Sequence, residues 1–540
     1  MNETRLLPLP PAGEGRGEGA GPTPINPETL RTWITDGHEL AILDAREEGE
    51  FGAGHLFWAV PCPLSRAELR IPVLLPRRAT RTVIVDDGNG LAERLATLLE
   101  TAGATNVHIL TGGTKAWEAS GNILFTGVHV PSKAFGEWVE HHYGTPSIDA
   151  AELKSWMDAG KNMVVLDSRP MDEFRSMSIP SGINVPGGEL AYRIADLVPD
   201  PATTIVVNCA GRTRSIMGAE SLRRAGVPNQ VVALRNGTMG WQLAGLDVAR
   251  GVTERYPEGT PATATLALER ATAFAETSGV GVIGPLDLVR FEDDPGRTLY
   301  VLDIRDPREF AARHRPGSRN APGGQLVQAT DQWIAVRNAR IAILDDDGVR
   351  ARMSAAWLCQ MGHKDVFVVE GALEGVEDVP PAIPPAAQGV GPEAVEGALV
   401  IDLARSIDFR AGHIPGAVWG IRTRLARLKP HLATAKSVVV TSPDGVLAAL
   451  ALDELRALTT APVAPLAGGT TAWVQSGHPL QSDRTNPPDE DCADFYLRPY
   501  DRNHGIEEAM HAYLSWEIDL VHEIERDGTV TFGTHRSPLP

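Results

Sequence analysis

The sequence predicts an α/β protein of four tandem copies of one unit, each a parallel β-sheet flanked by helices, followed by a C-terminal helical tail. Three observations carry this. One phrase recurs: an apolar run, a Leu-Asp or Ile-Asp step, a charged turn, then an acidic residue followed by Phe. It reads Leu43-Asp44-Ala45-Arg46 with Glu50-Phe51, Leu166-Asp167-Ser168-Arg169 with Glu173-Phe174, and Leu302-Asp303-Ile304-Arg305 with Glu309-Phe310. A looser version is Ile401-Asp402-Leu403-Ala404 with Asp408-Phe409. The second and third copies also share one register. A shift of 136 carries Leu166 onto Leu302, Pro186-Gly187-Gly188 onto Pro322-Gly323-Gly324, and Gly226 onto Gly362. Self-similarity at a fixed spacing marks duplicated domains. Third, short apolar strands alternate with helices in each copy, the pattern of a parallel sheet covered on both faces.

The second copy shows each element most clearly. Ser147-Ile148-Asp149-Ala150 is a capping signal for a helix through Ala151 to Trp156. The strand Met163-Val164-Val165-Leu166 follows, then the charged turn and a Pro/Gly loop. A second strand, Thr204-Ile205-Val206-Val207, leads through a short loop into an amphipathic helix from Ile216 to Ala225. A third strand, Gln230 to Leu234, ends in Asn236-Gly237-Thr238-Met239-Gly240-Trp241, and its Gly-x-x-x-Trp recurs from Gly113 to Trp117 and from Gly469 to Trp473. The expected boundaries are a disordered leader over 1–22, copies at 23–128, 129–255, 256–385 and 386–482, and a tail with a helix over 483–540.

At 540 residues the chain is too long for one core, with 43% hydrophobic and 22% charged residues, an ordinary globular balance. No apolar run approaches the ~20 residues of a membrane span, so no membrane partner is expected. The net charge of −19 argues against nucleic acid, whose non-specific binding relies on Lys and Arg neutralising phosphates. Four cysteines, Cys62, Cys209, Cys359 and Cys492, form no CxxC pair and no disulfide framework, which fits a reducing cytoplasm. Scattered histidines, His141-His142 among them, lack metal-ligand spacing, and neither metal nor cofactor is expected.

One cysteine stands apart. Cys209 follows the central strand and opens the loop Cys209-Ala210-Gly211-Arg212-Thr213-Arg214-Ser215 before a helix. Unpaired N–H groups at a helix N-terminus favour an anion. Gly211 is expected to let the loop curl tightly, and Arg212 and Arg214 add two positive charges. Such surroundings lower a cysteine pKa from about 8.5 to between 3.5 and 7.5. The other thiols read differently: Cys359 as core within Trp357-Leu358-Cys359-Gln360-Met361, Cys62 as packing in Pro61-Cys62-Pro63, and Cys492 as an exposed, incidental residue of an acidic tail.

The repeat resembles the rhodanese homology domain, an α/β unit of sulfurtransferases, over about 23–480 of the chain. The Cys209 loop is similar to the active-site loop of that family, in which six residues run from the cysteine to a closing Arg, here Arg214. The resemblance implies that Cys209 attacks the outer sulfur of a donor, becomes a persulfide, and passes the sulfur on. It makes the loop amides and Arg214 a cradle for the persulfide, with Ala210, Gly211, Thr213 and Ser215 lining it, and Arg212 the site of an anionic donor such as thiosulfate. Asp167 and Arg169 become a structural pair beside the loop, and Pro186-Gly187-Gly188 with Glu189-Leu190 one wall of the cleft. The implied partners are a small-molecule sulfur donor and a thiol or cyanide acceptor, with a protein acceptor also open. The alternative is a persulfide relay or sulfur-binding scaffold for a protein partner. A phosphatase-like reading fares worse: tyrosine-phosphatase-like loops place Arg after five intervening residues, and position 215 is Ser.

The other copies lack the thiol. Asp345 stands in the third, Asp86 in the first and Ser442 in the fourth. Aspartate can satisfy the N–H groups of a helix start but cannot carry sulfur. In the tail, a helix from about Gly505 to Arg526 places Ile506, Met510, Tyr513, Leu514, Val521 and Ile524 on one face. It is expected to staple two domains together, a partner-docking role being the alternative.

Overall fold

The computed structural model describes residues 21–378 and 389–533; the expected leader lies outside the described residues but for its last two positions. The chain forms two compact units, one holding the first and fourth copies with the tail up to Ile506, the other holding the second and third copies with the C-terminal helix.

In the second copy the strands lie in the order Ser147–Ile148, Val231–Leu234, Thr204–Asn208, Met163–Asp167, Ile183–Asn184, all parallel. The third copy repeats this with Gly281–Ile283, Asp365–Val369, Arg340–Leu344, Leu299–Asp303 and Arg319–Asn320. The first copy has Thr23–Ile25, Val107–Leu110, Thr82–Val85, Leu40–Asp44 and Ala59–Pro61 in the same relation. The fourth keeps four strands, Val463–Pro465, Val438–Thr441, Leu399–Asp402 and Val418–Trp419. The central strand of the second copy is buried throughout because both faces carry helices, so it reads as a continuous apolar run. Its alternate side chains feed two cores: Ile205 and Val207 pack with Leu190, Ile194 and Leu222, while Val206 packs with Leu153, Leu234 and Trp241.

This register positions the site. Leu166 faces Val207 and Asp167 faces Asn208, so the Asp of the recurring phrase lies beside the strand end that delivers Cys209. The helix after the loop spans Thr213–Arg224, starting three residues earlier than expected, with Arg214 and Ser215 in its first turn. The turn closes early because Arg212 has helical torsions and its carbonyl accepts from the Ser215 amide at 3.1 Å and the Ser215 hydroxyl at 2.8 Å. The preceding capping signal works through Asp149, whose Oδ1 accepts from the Glu152 amide at 2.8 Å.

The last helix spans Ile506–Asp527, and its buried positions are Met510, Leu514, Glu517, Leu520, Ile524 and Asp527. The expected face is shifted: Tyr513 and Val521 are half-buried, and Glu517 and Leu520 are inside. Cys492 is also a correction, being buried with its Sγ 3.3 Å from the Pro488 carbonyl. The tail folds back here, with Arg410 holding the Pro487 carbonyl and the Asp489 carboxylate and the Ser406 amide donating to Asp494.

Candidate active site

Cys209 sits at the junction of strand and helix and is 2% exposed. Its carbonyl accepts from the Thr238 amide at 2.8 Å and the Thr238 hydroxyl at 3.0 Å, and the Ala210 carbonyl accepts from the Met239 amide at 2.9 Å. Gly237 makes this possible: at φ +53°, a Cβ there would stand 2.4 Å from the Cys209 carbonyl oxygen. The glycine of each Gly-x-x-x-Trp segment serves its own loop alike, Gly113 on the Asp86 carbonyl and Gly469 on that of Ser442. The Ser168 hydroxyl bonds the Asn208 carbonyl at 2.9 Å and the Arg214 carbonyl at 3.2 Å, tying both ends of the loop to the first strand.

The thiol has Ser215 as a neighbour in the first turn of the helix, its hydroxyl and amide being those that bond the Arg212 carbonyl. Burial pushes the Cys209 thiol up, opposed by the Arg214 charge and Ser215 and reinforced by Glu517. The expected lowering is thus reversed in this closed arrangement, because desolvation outweighs the positive charges. Those charges are also shared. Arg214 forks onto Glu173 at 2.9 and 2.7 Å, with Gln325 at 3.5 Å. Arg212, expected to receive the donor, is buried and turned to the helix Val130–Tyr143: its Nε and Nη2 bond Glu137 at 2.8 and 2.7 Å, and Nη2 also bonds Glu140. It ties the loop to that helix and presents no free cation to a donor.

Gly211 needs correction as well. Its φ lies outside the left-handed region, and the reason for glycine is close approach: a Cβ would stand 3.1 Å from Glu517 Oε2 and 3.4 Å from the Tyr513 ring. Thr213 donates to Glu517 Oε1 at 3.2 Å. Asp167 and Arg169 form a buried fork, Nε to Oδ1 at 2.9 Å and Nη2 to Oδ2 at 2.7 Å, and Asp167 also accepts from the Asn208 side chain at 2.8 Å. Gly187 and Gly188, expected to wall the Cys209 cleft, line a small pocket with Ser168 and Arg214 and also pack on Gly323 and Gly324. With Pro186, Glu189, Arg255 and Arg308 they line a cavity of about 520 Å³ between the second and third copies, whose lining does not include Cys209.

The residues missed in the sequence are Glu137, Glu173, Tyr513 and Glu517. Only Glu173 had a signal, since its Glu-Phe step recurs; the third copy shows the same use, Glu309 bonding Arg350 at 2.6 Å. The others come from segments remote in sequence.

The family model of the rhodanese-like domain matches residues 26–120, 149–244 and 287–378. The chain belongs to the rhodanese-like family. A crystal structure of a thiosulfate sulfurtransferase from Pseudomonas aeruginosa superposes with a TM-score of 0.87 at 42% identity, covering 95% of this rhodanese and 100% of that chain. A thiosulfate sulfurtransferase of Azotobacter vinelandii is 25% identical over 215 residues, 36% of this chain and 78% of that one. An HTH-type transcriptional regulator of Mycobacterium tuberculosis is 37% identical over 111 residues, 20% of this chain, and the match spans 47% of the regulator's length.

The four copies of this rhodanese share one more feature. The residue at the cysteine position uses its side chain to meet the amide six residues on. Asp86 accepts from the Ala92 amide at 3.1 Å, Asp345 from that of Ala351 at 2.8 Å, Ser442 from that of Ala448 at 3.3 Å, and Cys209 faces that of Ser215. Asp86 and Asp345 use their second oxygen on Gly88 and Gly348 at 2.9 and 3.0 Å. The fourth copy, outside the three matched segments, follows the same geometry.

Proposed function

We propose that this rhodanese is a sulfurtransferase that carries sulfane sulfur as a persulfide on Cys209. One observation carries the reading: of four equivalent positions facing the amide six residues on, this is the one with a sulfur nucleophile, the others being Asp86, Asp345 and Ser442. The relatives named thiosulfate sulfurtransferases support it. In the first step the Cys209 thiolate forms a bond to the sulfane sulfur, the donor's S–S bond breaks, and the electron pair leaves with the donor remnant, sulfite where the donor is thiosulfate. In the second, an acceptor thiolate or cyanide takes the outer sulfur and the Cys209 thiolate returns. Arg214 supplies the positive charge near the sulfur and Ser215 a neighbouring dipole that favours the thiolate, while Glu173 holds Arg214 in place. The function of the three other copies is that of a frame, their loop carboxylates or hydroxyl filling the place of the thiol.

Cys209→Ser tests this. The variant is expected to lose thiosulfate:cyanide turnover and the gain of about 32 Da, one sulfur, on donor-treated protein, since a serine hydroxyl without a base is a poor nucleophile. Turnover like the wild type would overturn the reading.

A further inference from the structure

The helix Ile506–Asp527 brings Tyr513, Leu514 and Glu517 onto the Cys209 loop at Gly211. In the third copy the matching loop, Asp345 to Gly348, opens on a cleft of about 420 Å³. Over the Cys209 loop these three side chains stand at Gly211.

Glu517 is 1% exposed and its two oxygens differ. Oε1 accepts from Lys133 Nζ at 2.9 Å, the Tyr513 hydroxyl at 3.1 Å and Thr213 Oγ1 at 3.2 Å. Oε2 is buried and takes no hydrogen bond from any described residue, and it is the oxygen aimed at Gly211. A buried carboxylate oxygen without a donor is costly, and this one stands on the loop of the reactive thiol, where an incoming donor can satisfy it. The surrounding charges point the same way. Three cations, Lys133, Arg212 and Arg214, face four carboxylates, Glu137, Glu140, Glu173 and Glu517. This balance leaves none of the three cations unpaired for a dianion and leaves Glu517 Oε2 for a cationic hydrogen-bond donor.

We propose that Glu517 is a specificity-determining residue for transfer at Cys209: its Oε2 takes a hydrogen bond from an ammonium or other N–H group of the sulfur donor. The site therefore selects aminothiol persulfides over oxyanionic donors. This rests on Cys209 being the sulfur carrier. In the step itself the Cys209 thiolate bonds the outer sulfur of the persulfide, the S–S bond breaks, and the electron pair leaves on the aminothiol sulfur. Glu517 neither gains nor loses an atom.

The test compares kcat/KM for two donors, thiosulfate as a dianion and cysteamine persulfide as a cation-bearing donor, with cyanide as the common acceptor and the full chain as enzyme. Glu517→Gln is expected to raise the thiosulfate value and lower the cysteamine persulfide value, moving their ratio by about tenfold or more. Glu517→Asp, which keeps the charge, is expected to hold the wild-type preference. A helix that merely covers the loop would, when loosened, change both donors by one factor. An equal change, or no change in the ratio, overturns the inference while Cys209 still gains sulfur by mass. Absence of the Cys209 persulfide in the wild type and Glu517→Gln alike overturns the sulfur-carrier reading, and this inference with it.

Discussion

Asp402 occupies a position where the other copies hold a carboxylate forked by arginine: Arg46 on Asp44, Arg169 on Asp167 and Arg305 on Asp303. The fourth copy has Ala404 instead, and its amide donates to Asp402 Oδ1 at 2.9 Å while Oδ2 is buried and takes no hydrogen bond from any described residue. Burial pushes the Asp402 carboxyl up to about 6. An unfolded aspartate titrates near 3.9, so the folded state binds the proton more tightly. Stability is therefore full below about pH 4 and is lost as pH rises through about 6, by about 3 kcal/mol in total. Asp402→Asn is expected to raise the melting temperature at pH 7.5 and to leave it unchanged at pH 3.5. Equal effects at both values would show that the charge is not the cause. The recurring Asp was plain in the sequence, as was the Ala that replaces the Arg; the orphaned oxygen needed the fold.

The loops show how far an element can be read from its residues. The strand end, the thiol and the helix start were legible because apolar runs and a Gly-containing break mark them. The loop conformations were not. Gly348 at φ +75° and Gly445 at φ +80° lead into the helices Val349–Gln360 and Val446–Leu450, whereas Arg212 enters its helix at φ −119°. The third loop also places Asp347 on the amides of Val349 and Arg350 at 2.7 and 3.0 Å, and Arg350 on Asp346 and Asp347. Restoring a thiol there does not restore the cradle. Asp345→Cys on a Cys209→Ser background is expected to fold and to remain at least roughly a hundredfold below wild type, as the neighbouring carboxylates disfavour a thiolate. Recovery of near wild-type sulfur transfer would mean that backbone and charge do not bar this loop. The last helix shows the limit of periodicity: spacing found its extent, but packing put Glu517 and Leu520 inside and left Val521 half-buried.

At the scale of the molecule, the second and third copies pack reciprocally, as a symmetric dimer does. Arg214 reaches Gln325 and Arg350 reaches Glu189, each side chain meeting the partner of its equivalent through the shift of 136. Trp357 Nε1 bonds the hydroxyl of its own equivalent, Ser221, at 2.9 Å. At the centre the two Pro-Gly-Gly loops touch: a Cβ on Gly324 would stand 3.0 Å from the backbone nitrogens of Gly187 and Gly188. Gly324→Ala therefore has to move backbone, and is expected to cost about 1–3 kcal/mol. Differential scanning calorimetry of the full chain would show a lowered transition; an unchanged thermogram would mean that the two loops part without cost. The paired glycines stood out in the sequence as a repeat, but their mutual contact did not, since a repeat does not say which copy faces which.

The sequence by itself determined the tandem parallel sheets, the place of Cys209 between strand and helix, and the absence of a thiol from the matching position in three copies. These follow from local periodicity and from comparison of one copy with another, which need no knowledge of what packs on what. Only the tertiary structure decided that Arg212 turns to Glu137, that burial raises the Cys209 thiol, and that Tyr513 and Glu517 stand on its loop. Thr213 and Glu517 are 304 residues apart, and Arg212 and Glu137 are 75. A charged residue chooses its partner by distance and desolvation in the folded chain, and neither quantity is written in the spacing of the sequence.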